Sequence, residues 1–289
     1  MRIPASVGCA LSVRLLESSD LPAVLAFLRE RPLGNLHLID LVQRYADPPL
    51  PGEPPSRILV ATVDGKVESV AALRPTISFD VDACAESVEA FLPSLARVSI
   101  GLVKGEASWV DLLWGGLTKR ARRRALLDRH EVAYRLRAAD AQFAEVPAGG
   151  LARSAQRKDL DALVFAARES LREEARPDPF VDDLPGFRAW VEGRQPRAQV
   201  VESAQGVVFV GYADVQRPEG WLLQGIYTWP HARRRGFGAA GTSALCRAAF
   251  ERGADHVQLS VVEGNRVAQA LYERLGFEPF SRLRTILFQ

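Results

Sequence analysis

A glycine-rich stretch near the C-terminus constrains the fold of this chain more than any other feature. Residues 233–241 read Arg-Arg-Arg-Gly-Phe-Gly-Ala-Ala-Gly. Gly236, Gly238 and Gly241 form G-x-G-x-x-G, the fingerprint of dinucleotide-binding loops. Arg233, together with Gly236 and Gly238, also forms R-x-x-G-x-G, a second pattern of phosphate-binding loops. Both patterns place backbone N–H groups at a helix N-terminus against a phosphate, so the stretch predicts a phosphorylated ligand.

The residues around this stretch predict an alternating α/β unit. Gly253 stands where a helix commonly ends, and Asn265 is a residue type that favours a helix start. The predicted elements are a strand over residues 221–228, a helix over 239–252, a strand over 256–262 and a helix from Asn265.

The side chains of the last predicted helix fall into two stripes. Val267, Leu271 and Leu275 recur every four residues and are expected to face the core. Ala268 and Tyr272 form the neighbouring stripe, which we expect to face the ligand.

The flanks of the glycine-rich stretch exclude two familiar phosphate sites. In a dinucleotide-binding fold the first glycine follows directly from a buried strand, and several βα units come after it. Here residues 229–235 intervene, and too few residues remain after Gly236 for such a domain. Glu263 matches the acid that binds ribose in dinucleotide-binding folds, but this single match is not enough to predict such a fold. A Walker-type loop is excluded because no Gly-Lys-Ser/Thr follows.

Residues 221–277 closely resemble the core of the GNAT acetyltransferase superfamily. Four motifs carry the resemblance in the expected order and spacing: residues 225–230, 233–238, 259–265 and 271–277, with Ala268 between the last two. The resemblance implies acetyl-CoA as cofactor, and Gly241 then becomes a close-packing position in the helix.

The resemblance assigns cofactor-binding roles position by position. Ile226, Tyr227 and Thr228 match the strand whose backbone pairs with the pantetheine arm. Asn265 matches an asparagine that contacts the cofactor. The loop expected to wrap the pyrophosphate comprises Arg233, Arg234, Arg235, Gly236, Phe237, Gly238 and Ala239. A solvated basic loop is the alternative interpretation of the three arginines.

The resemblance also points to catalytic residues. Tyr272 matches the general acid that protonates the departing CoA thiolate, and a phenol with a pKa of about 10 suits that proton transfer. A buried aromatic that only fills the core is the alternative. Gln224 stands where some family members place a glutamate and cannot act as a base. We therefore take Glu174 and Glu173 as candidate bases, with a solvated helix end as their alternative, and Glu202 as a weaker candidate.

The two halves of the chain share a pattern. Arg14 is followed six residues later by Asp20, and Arg153 is followed at the same spacing by Asp159. Each aspartate is expected to cap a helix, and a hairpin signal follows, at Asp64-Gly65 in the first half and Gln205-Gly206 in the second. We interpret this as an internal duplication; a chance likeness of two α/β stretches is the alternative.

Only the second half carries the phosphate loop. The first half resembles, more loosely, a degenerate GNAT domain, as in tandem architectures such as mycothiol synthase. An Ala- and Gly-rich stretch over residues 138–150 is the natural boundary. The predicted domains are residues 1–140, without a cofactor loop, and 150–289, the acetyltransferase domain.

Composition excludes several other classes of protein. The formal net charge of +2 argues against a broad nucleic-acid surface, and the basic cluster at residues 119–124 is then a solvated helix face. No apolar run is long enough to span a bilayer, and the apolar part before Cys9 is too short for an export signal. The histidines show no metal-ligand spacing, so no metal is expected. A cytoplasmic location is predicted.

The sequence thus predicts an α/β protein of two GNAT-like domains in tandem, each with a mostly antiparallel sheet flanked by helices. The predicted activity is acetyl transfer from acetyl-CoA to a primary amine of a small molecule, amino acid or peptide, by direct transfer. The alternatives are a longer acyl chain, a thiol-precursor acceptor, or an acyl-CoA-binding regulator without catalysis. A monomer or homodimer is expected, with no nucleic-acid or membrane partner.

Overall fold

The computed structural model describes residues 11–49, 51–178, 180 and 182–289. The predicted lack of an export signal concerns residues 1–10, outside the described residues. None of the described helices is both long and apolar enough to cross a membrane.

One order of elements occurs twice along the chain. The first set is β1 Ser12–Leu15, α1 Leu21–Arg29, α2 Pro32–Gln43, β2 Arg57–Val63, β3 Lys66–Arg74, β4 Ser78–Phe79, α3 Ala85–Leu95, β5 Gly101–Glu106, α4 Ala107–Ala121 and β6 Ala125–Arg137. The second set is β7 Leu151–Ser154, α5 Leu160–Glu173, α6 Leu184–Arg194, β8 Ala198–Ser203, β9 Gly206–Arg217, β10 Gly220–Thr228, α7 Phe237–Glu251, β11 His256–Val262, α8 Arg266–Arg274 and β12 Glu278–Phe288. Short 3₁₀ turns aside, the two sets match element for element, and we call them the first and second repeat.

The hairpin of each repeat has the same register. Val63 pairs with Lys66 and Ser203 with Gly206, and both ladders carry a bulge between the second and third pairs from the turn, just before Ala61 and Val201. Positive φ angles at Asp64 and Gly65, 49° and 78°, give the predicted turn between twisted strands. In the second repeat the turn lies one residue earlier than predicted, because Gly206 already begins β9.

Each repeat also opens with the same arginine–aspartate contact. Arg14 Nη2 donates to Asp20 at 2.6 Å, and Arg153 Nη1 donates to Asp159 at 2.7 Å. The predicted capping role of the two aspartates is wrong. Neither carboxylate caps the helix that follows, because each is held by its arginine and by a preceding backbone N–H. The matching contacts support an internal duplication.

The chain forms two compact units whose bounds differ from those of the repeats. The first contains residues up to 48, 54–130 and 283–289, and the second contains the rest of the described chain. In the first unit the end of β12 pairs antiparallel with β5, from Leu283 to Phe288. In the second unit the end of β6 pairs antiparallel with β11. The last strand of each repeat is therefore paired inside the other unit.

In the first unit four strands follow the order β1-β2-β3-β4. In the second unit the order is β6-β11-β10-β9-β8-β7. Helices α7 and α8 cover one face of this second sheet with Leu245, Tyr272 and Leu275. Helices α5 and α6 cover the other face with Leu163 and Phe187, so the sheet is buried on both sides.

Gly241 is a close-packing position, as expected. It lies in α7, and a Cβ atom on it would stand 2.2 Å from Cδ1 of Phe209 on β9. Helix α7 therefore approaches the sheet closely only because this position has no side chain.

We expect Gly241→Ala to lower the free energy of unfolding by about 1–3 kcal/mol, because the methyl group overlaps the Phe209 ring. Gly115→Ala in α4 is the matched control, since a Cβ atom there meets nothing within 4 Å. The control should be neutral or slightly stabilising, because alanine favours helix over glycine. Urea denaturation measures both variants, and equal stabilities would contradict the close approach.

Candidate active site

Strands β10 and β11 separate after a short paired stretch. Their parallel ladder covers only Trp221 with Val257 and Leu222 with Gln258, although β10 continues to Thr228. On its other side β10 stays paired with β9, across a bulge that follows Gln224. Past Leu222 the described residues supply no strand partner on the β11 side. A wedge therefore opens beside residues 226–228, and their backbone groups border it.

The glycine-rich loop lies where β10 ends. Arg234 and Gly236 both have positive φ angles, 59° and 87°, and such a conformation turns neighbouring N–H groups toward one concavity. Gly236 is the residue before α7 and has no side chain to cap the N–H groups of the first turn, which have no partner within their own helix. The loop thus has the geometry of an anion site at a helix N-terminus.

Gly238 shows how closely the loop approaches its neighbours. A Cβ atom on it would lie 3.1 Å from Oγ1 of Thr228 and 3.7 Å from Cδ2 of Leu271. The end of β10, the first turn of α7 and helix α8 therefore meet at the wedge. Absence of a side chain at Gly238 keeps the space between them open.

The three arginines of the loop have different surroundings. Arg233 Nε donates to the Thr228 carbonyl at 3.0 Å, and its Nη2 donates to both carboxylate oxygens of Glu173, at 2.6 and 2.8 Å. Arg234 and Arg235 are exposed, and no described carboxylate pairs with them. The Arg235 guanidinium lies 5.5 Å from the centre of the Phe237 ring. Arg233 thus links the loop to β10 and α5 through hydrogen bonds. The charges of Arg234 and Arg235 are exposed and can interact with a ligand.

Tyr272 of α8 is buried in the hydrophobic core of the second unit. Its side chain is 6% exposed, and its ring packs edge-on against Phe277 with the centres 5.7 Å apart. Burial raises the pKa of the Tyr272 phenol above its ordinary value, and the charge of Glu174 acts in the same direction. The phenol is therefore protonated at neutral pH and is a weaker acid than an exposed tyrosine.

The two candidate bases differ in their partners. Glu173 ends α5 and is engaged by Arg233, and it also accepts from the Tyr227 hydroxyl at 3.4 Å. Glu174 follows it, and its charge acts on Tyr272. Its carboxylate lies 3.9 Å from Nη1 of Arg176. The structure therefore brings Glu174 and Tyr272 within electrostatic reach of each other.

The weaker candidate base lies in a different contact. Glu202 accepts from Arg153 Nη2 at 2.6 Å, beside Asp159. It belongs to the arginine–aspartate contact that opens the second repeat. Gln224 is exposed at the bulge of β10.

Two aromatic side chains near Glu173, those of Phe165 and Trp229, were not predicted as site residues from the sequence. Phe165 of α5 stacks on Trp229, with ring centres 5.8 Å apart and an interplanar angle of 18°. Trp229 packs edge-on against Tyr227 at 5.3 Å. Phe165 is 47% exposed, which is unusual for so large an apolar ring. In the sequence, Phe165 is only an aromatic residue in a helical stretch, and a core residue has the same pattern.

Helix α8 confirms one prediction and corrects another. Asn265 caps it, since its Oδ1 accepts from the backbone N–H of Ala268 at 3.1 Å. Val267 was expected to face the core but is 83% exposed, because the short helix turns its first residues into solvent. Leu275 is buried as predicted, and Ala268 and Leu271 pack half-buried against the same core.

The corresponding position of the first repeat carries negative charge. Asp80 and Asp82 precede α3, and Glu86 lies in its first turn. Asp80 is buried and accepts from Ser69 Oγ at 2.5 Å and from the Val70 N–H at 2.8 Å. Because acids already occupy this helix N-terminus, a phosphate would be repelled there.

The whole chain resembles several solved structures in fold. A protein from Drosophila is 16% identical with a TM-score of 0.71, over 97% of this chain and 99% of its own. A GCN5-related N-acetyltransferase from Sphaerobacter thermophilus is also 16% identical with a TM-score of 0.62, over 96% of this chain and 95% of its own. A tandem GNAT protein from the clavulanic acid biosynthesis pathway is 14% identical with a TM-score of 0.56, over 96% of this chain and 98% of its own. At these identities the likeness concerns the fold alone.

Sequence comparison is more specific for the second repeat. The sequence model of the acetyltransferase (GNAT) family matches residues 161–277. Among curated proteins no match was found. The matched range begins in α5 and ends just after α8, so it contains the wedge, the loop and Tyr272. The fold of both repeats is GNAT-like, and residues 161–277 belong to the acetyltransferase (GNAT) family.

Proposed function

We propose that the second repeat binds acetyl-CoA and transfers its acetyl group to a primary amine of a small molecule, an amino acid or a peptide. The observation that carries this proposal is the wedge between β10 and β11, with the glycine-rich loop at its mouth. The wedge offers an unpaired strand edge beside residues 226–228. The loop offers the N–H groups of the first turn of α7 and two exposed arginines, Arg234 and Arg235, with which no described carboxylate pairs.

Each predicted cofactor residue has a physical role in this proposal. The backbone of Ile226, Tyr227 and Thr228 would pair with the amide groups of the pantetheine arm, as an added strand does. The N–H groups of Phe237, Gly238 and Ala239 would donate to the pyrophosphate, which the helix dipole also favours.

Two further contacts follow from the surroundings of the loop. Arg234 and Arg235 would neutralise phosphate charge, including that of the ribose 3′-phosphate. Asn265 uses its Oδ1 to cap α8, which leaves its Nδ2 hydrogens free to donate to the cofactor.

Acetyl-CoA supplies an activated acetyl thioester. For the transfer, the acceptor ammonium must first lose a proton, and Glu174 would accept it directly or through water. Tyr272 would donate the phenol proton to the leaving thiolate. A phenol is protonated at neutral pH and so has a proton to give.

We further propose direct transfer, without a covalent acyl-enzyme. Cys246, the cysteine nearest to the proposed site, is 1% exposed in α7. Burial raises the pKa of its thiol, so the nucleophilic thiolate is scarcely formed.

A screen of acceptors tests the proposed activity. The purified chain is incubated with acetyl-CoA and with single amines, amino acids or short peptides, and release of free CoA thiol is followed. We expect thiol release that depends on at least one acceptor, together with its acetylated product in mass spectrometry. Parallel reactions with longer acyl-CoA molecules and with thiol acceptors distinguish the alternative transferases. Binding of acyl-CoA without transfer to any acceptor would favour a regulator and would contradict the proposed activity.

A further inference from the structure

The first unit contains a cavity of about 250 Å³ that the acetyltransferase proposal does not use. It lies where β1 ends, β2 begins and β3 ends, next to the end of α3. Its polar lining consists of four arginines and two serines: Arg14, Arg57, Arg74, Arg97, Ser94 and Ser99. No acidic residue lines it, so the cavity concentrates positive charge.

The charge of this cavity is largely uncompensated. Arg57 and Arg74 stand directly opposite each other in the ladder of β2 and β3. Like charges at directly opposed positions of a sheet repel and lower stability. No described side chain pairs with Arg57, Arg74 or Arg97, whereas Arg14 is engaged by Asp20. The cavity thus keeps three free guanidinium groups together at an energetic cost.

The second repeat shows how the same positions are neutralised. Counted from the turn, Arg57 and Arg74 occupy the positions of Arg197 and Asp214, which lie just beyond the last ladder pair of β8 and β9. Arg197 Nη1 lies 3.6 Å from the Asp214 carboxylate, which also accepts from Arg194 Nη2 at 2.5 Å. The first repeat has a second arginine where the second repeat has this acid.

A second position shows the same difference. Glu202 of β8 accepts from Arg153, and Thr62 occupies the corresponding place in β2. Arg14, the counterpart of Arg153, therefore has one carboxylate partner where Arg153 has two. Its side chain is 44% exposed, against 15% for Arg153. Both replacements make the charge of the first repeat more positive than that of the second, one at each end of the hairpin.

We propose that this cavity binds the phosphate group of a small phosphate monoester. Guanidinium groups match phosphate oxygens in charge and geometry, and two serine hydroxyls add hydrogen-bond donors. Leu15 and Ile100 also line the cavity and are 44% and 69% exposed, which provides apolar contact for the organic part of the ligand. The site lies at the C-terminal end of α3, where the helix dipole does not favour an anion, so the arginines supply the attraction.

Arg74→Asp is the most informative variant because it restores the acid that the second repeat has at this position. The new carboxylate should pair with Arg57, as Asp214 pairs with Arg197. We expect a higher melting temperature than wild type in phosphate-free buffer, so loss of binding in this variant cannot come from unfolding. Lys66→Asp is the control, since it makes the same change of charge at the opposite end of β3.

Binding is measured by calorimetric titration of the full chain with inorganic phosphate and with glycerol 3-phosphate, at constant chloride. All samples carry Arg234→Glu and Arg235→Glu, so that the glycine-rich loop cannot contribute and the result does not depend on the proposed function. We expect saturable binding that weakens at least tenfold with Arg74→Asp and stays unchanged with Lys66→Asp. Tighter binding of glycerol 3-phosphate identifies a monoester as the ligand class, whereas equal binding identifies the free ion. No saturable binding of either anion, or equal weakening by both variants, would overturn the proposal.

Discussion

Replacing Tyr272 by phenylalanine is expected to lower the rate of acetyl transfer by about 10²–10⁴-fold while CoA affinity stays unchanged. General acid catalysis typically contributes a factor of this size. The substitution removes only the hydroxyl, and the ring can keep its packing against Phe277. Steady-state kinetics for the rate and calorimetry for CoA affinity together separate a proton donor from a side chain that only fills the core.

Tyr212→Phe is the matched control for this prediction. Tyr212 is also buried in the second unit, and its hydroxyl has no hydrogen-bond partner among the described residues. Removing that hydroxyl should leave both the rate and the CoA affinity close to wild type. If Tyr272→Phe turned over as fast as this control, Tyr272 would be a core residue and not the general acid.

Arg234→Glu combined with Arg235→Glu is expected to weaken CoA binding by roughly 100-fold or more. Each arginine offers a charge-assisted contact worth about 1.5–3 kcal/mol, and 1.4 kcal/mol corresponds to a factor of ten in affinity. The glutamates add repulsion of the phosphates. Because both side chains are exposed and lack described carboxylate partners, the fold should tolerate the change.

Lys119→Glu combined with Arg122→Glu controls for the change in net charge. Both residues are exposed at the end of α4, in the first unit, and no described carboxylate pairs with them. The control should bind CoA as wild type does. Equal affinities for the loop variant and this control would contradict a phosphate site at the glycine-rich loop.

The fold of the second repeat could be predicted because its sequence signals are local. The strand over residues 256–262, the end of α7 at Gly253 and the cap at Asn265 each depend on a few neighbouring residues. The position of Val267 could not be predicted from spacing, because α8 is short and only part of its stripe reaches the core.

Long-range pairing limited the sequence prediction of the site. The partner of Arg233 is Glu173, which lies far from it along the chain and on another element. Three consecutive arginines look alike in sequence, so the fastening role of the first and the exposed charge of the other two emerge only in the fold.

The pairing of the last strands, β6 and β12, and the cavity of the first unit could not be predicted from local sequence signals either. No local signal shows that the end of β12 pairs with β5, or that the end of β6 pairs with β11. The cavity arginines are scattered over the sequence and meet only through the register of β1, β2 and β3. Comparison of the two hairpins identifies Asp214 as the counterpart of Arg74. The first repeat therefore has a cation where the second repeat has an acid.

Calorimetric titration of the wild-type chain with CoA tests the central claim most directly. The claim is that the glycine-rich loop of the second repeat binds the cofactor, whereas acidic residues prevent phosphate binding at the corresponding position of the first repeat. We predict saturable binding of one CoA per chain, lost or strongly weakened when Arg234 and Arg235 are replaced by glutamate. No binding of CoA, or binding of two molecules per chain, would contradict the claim.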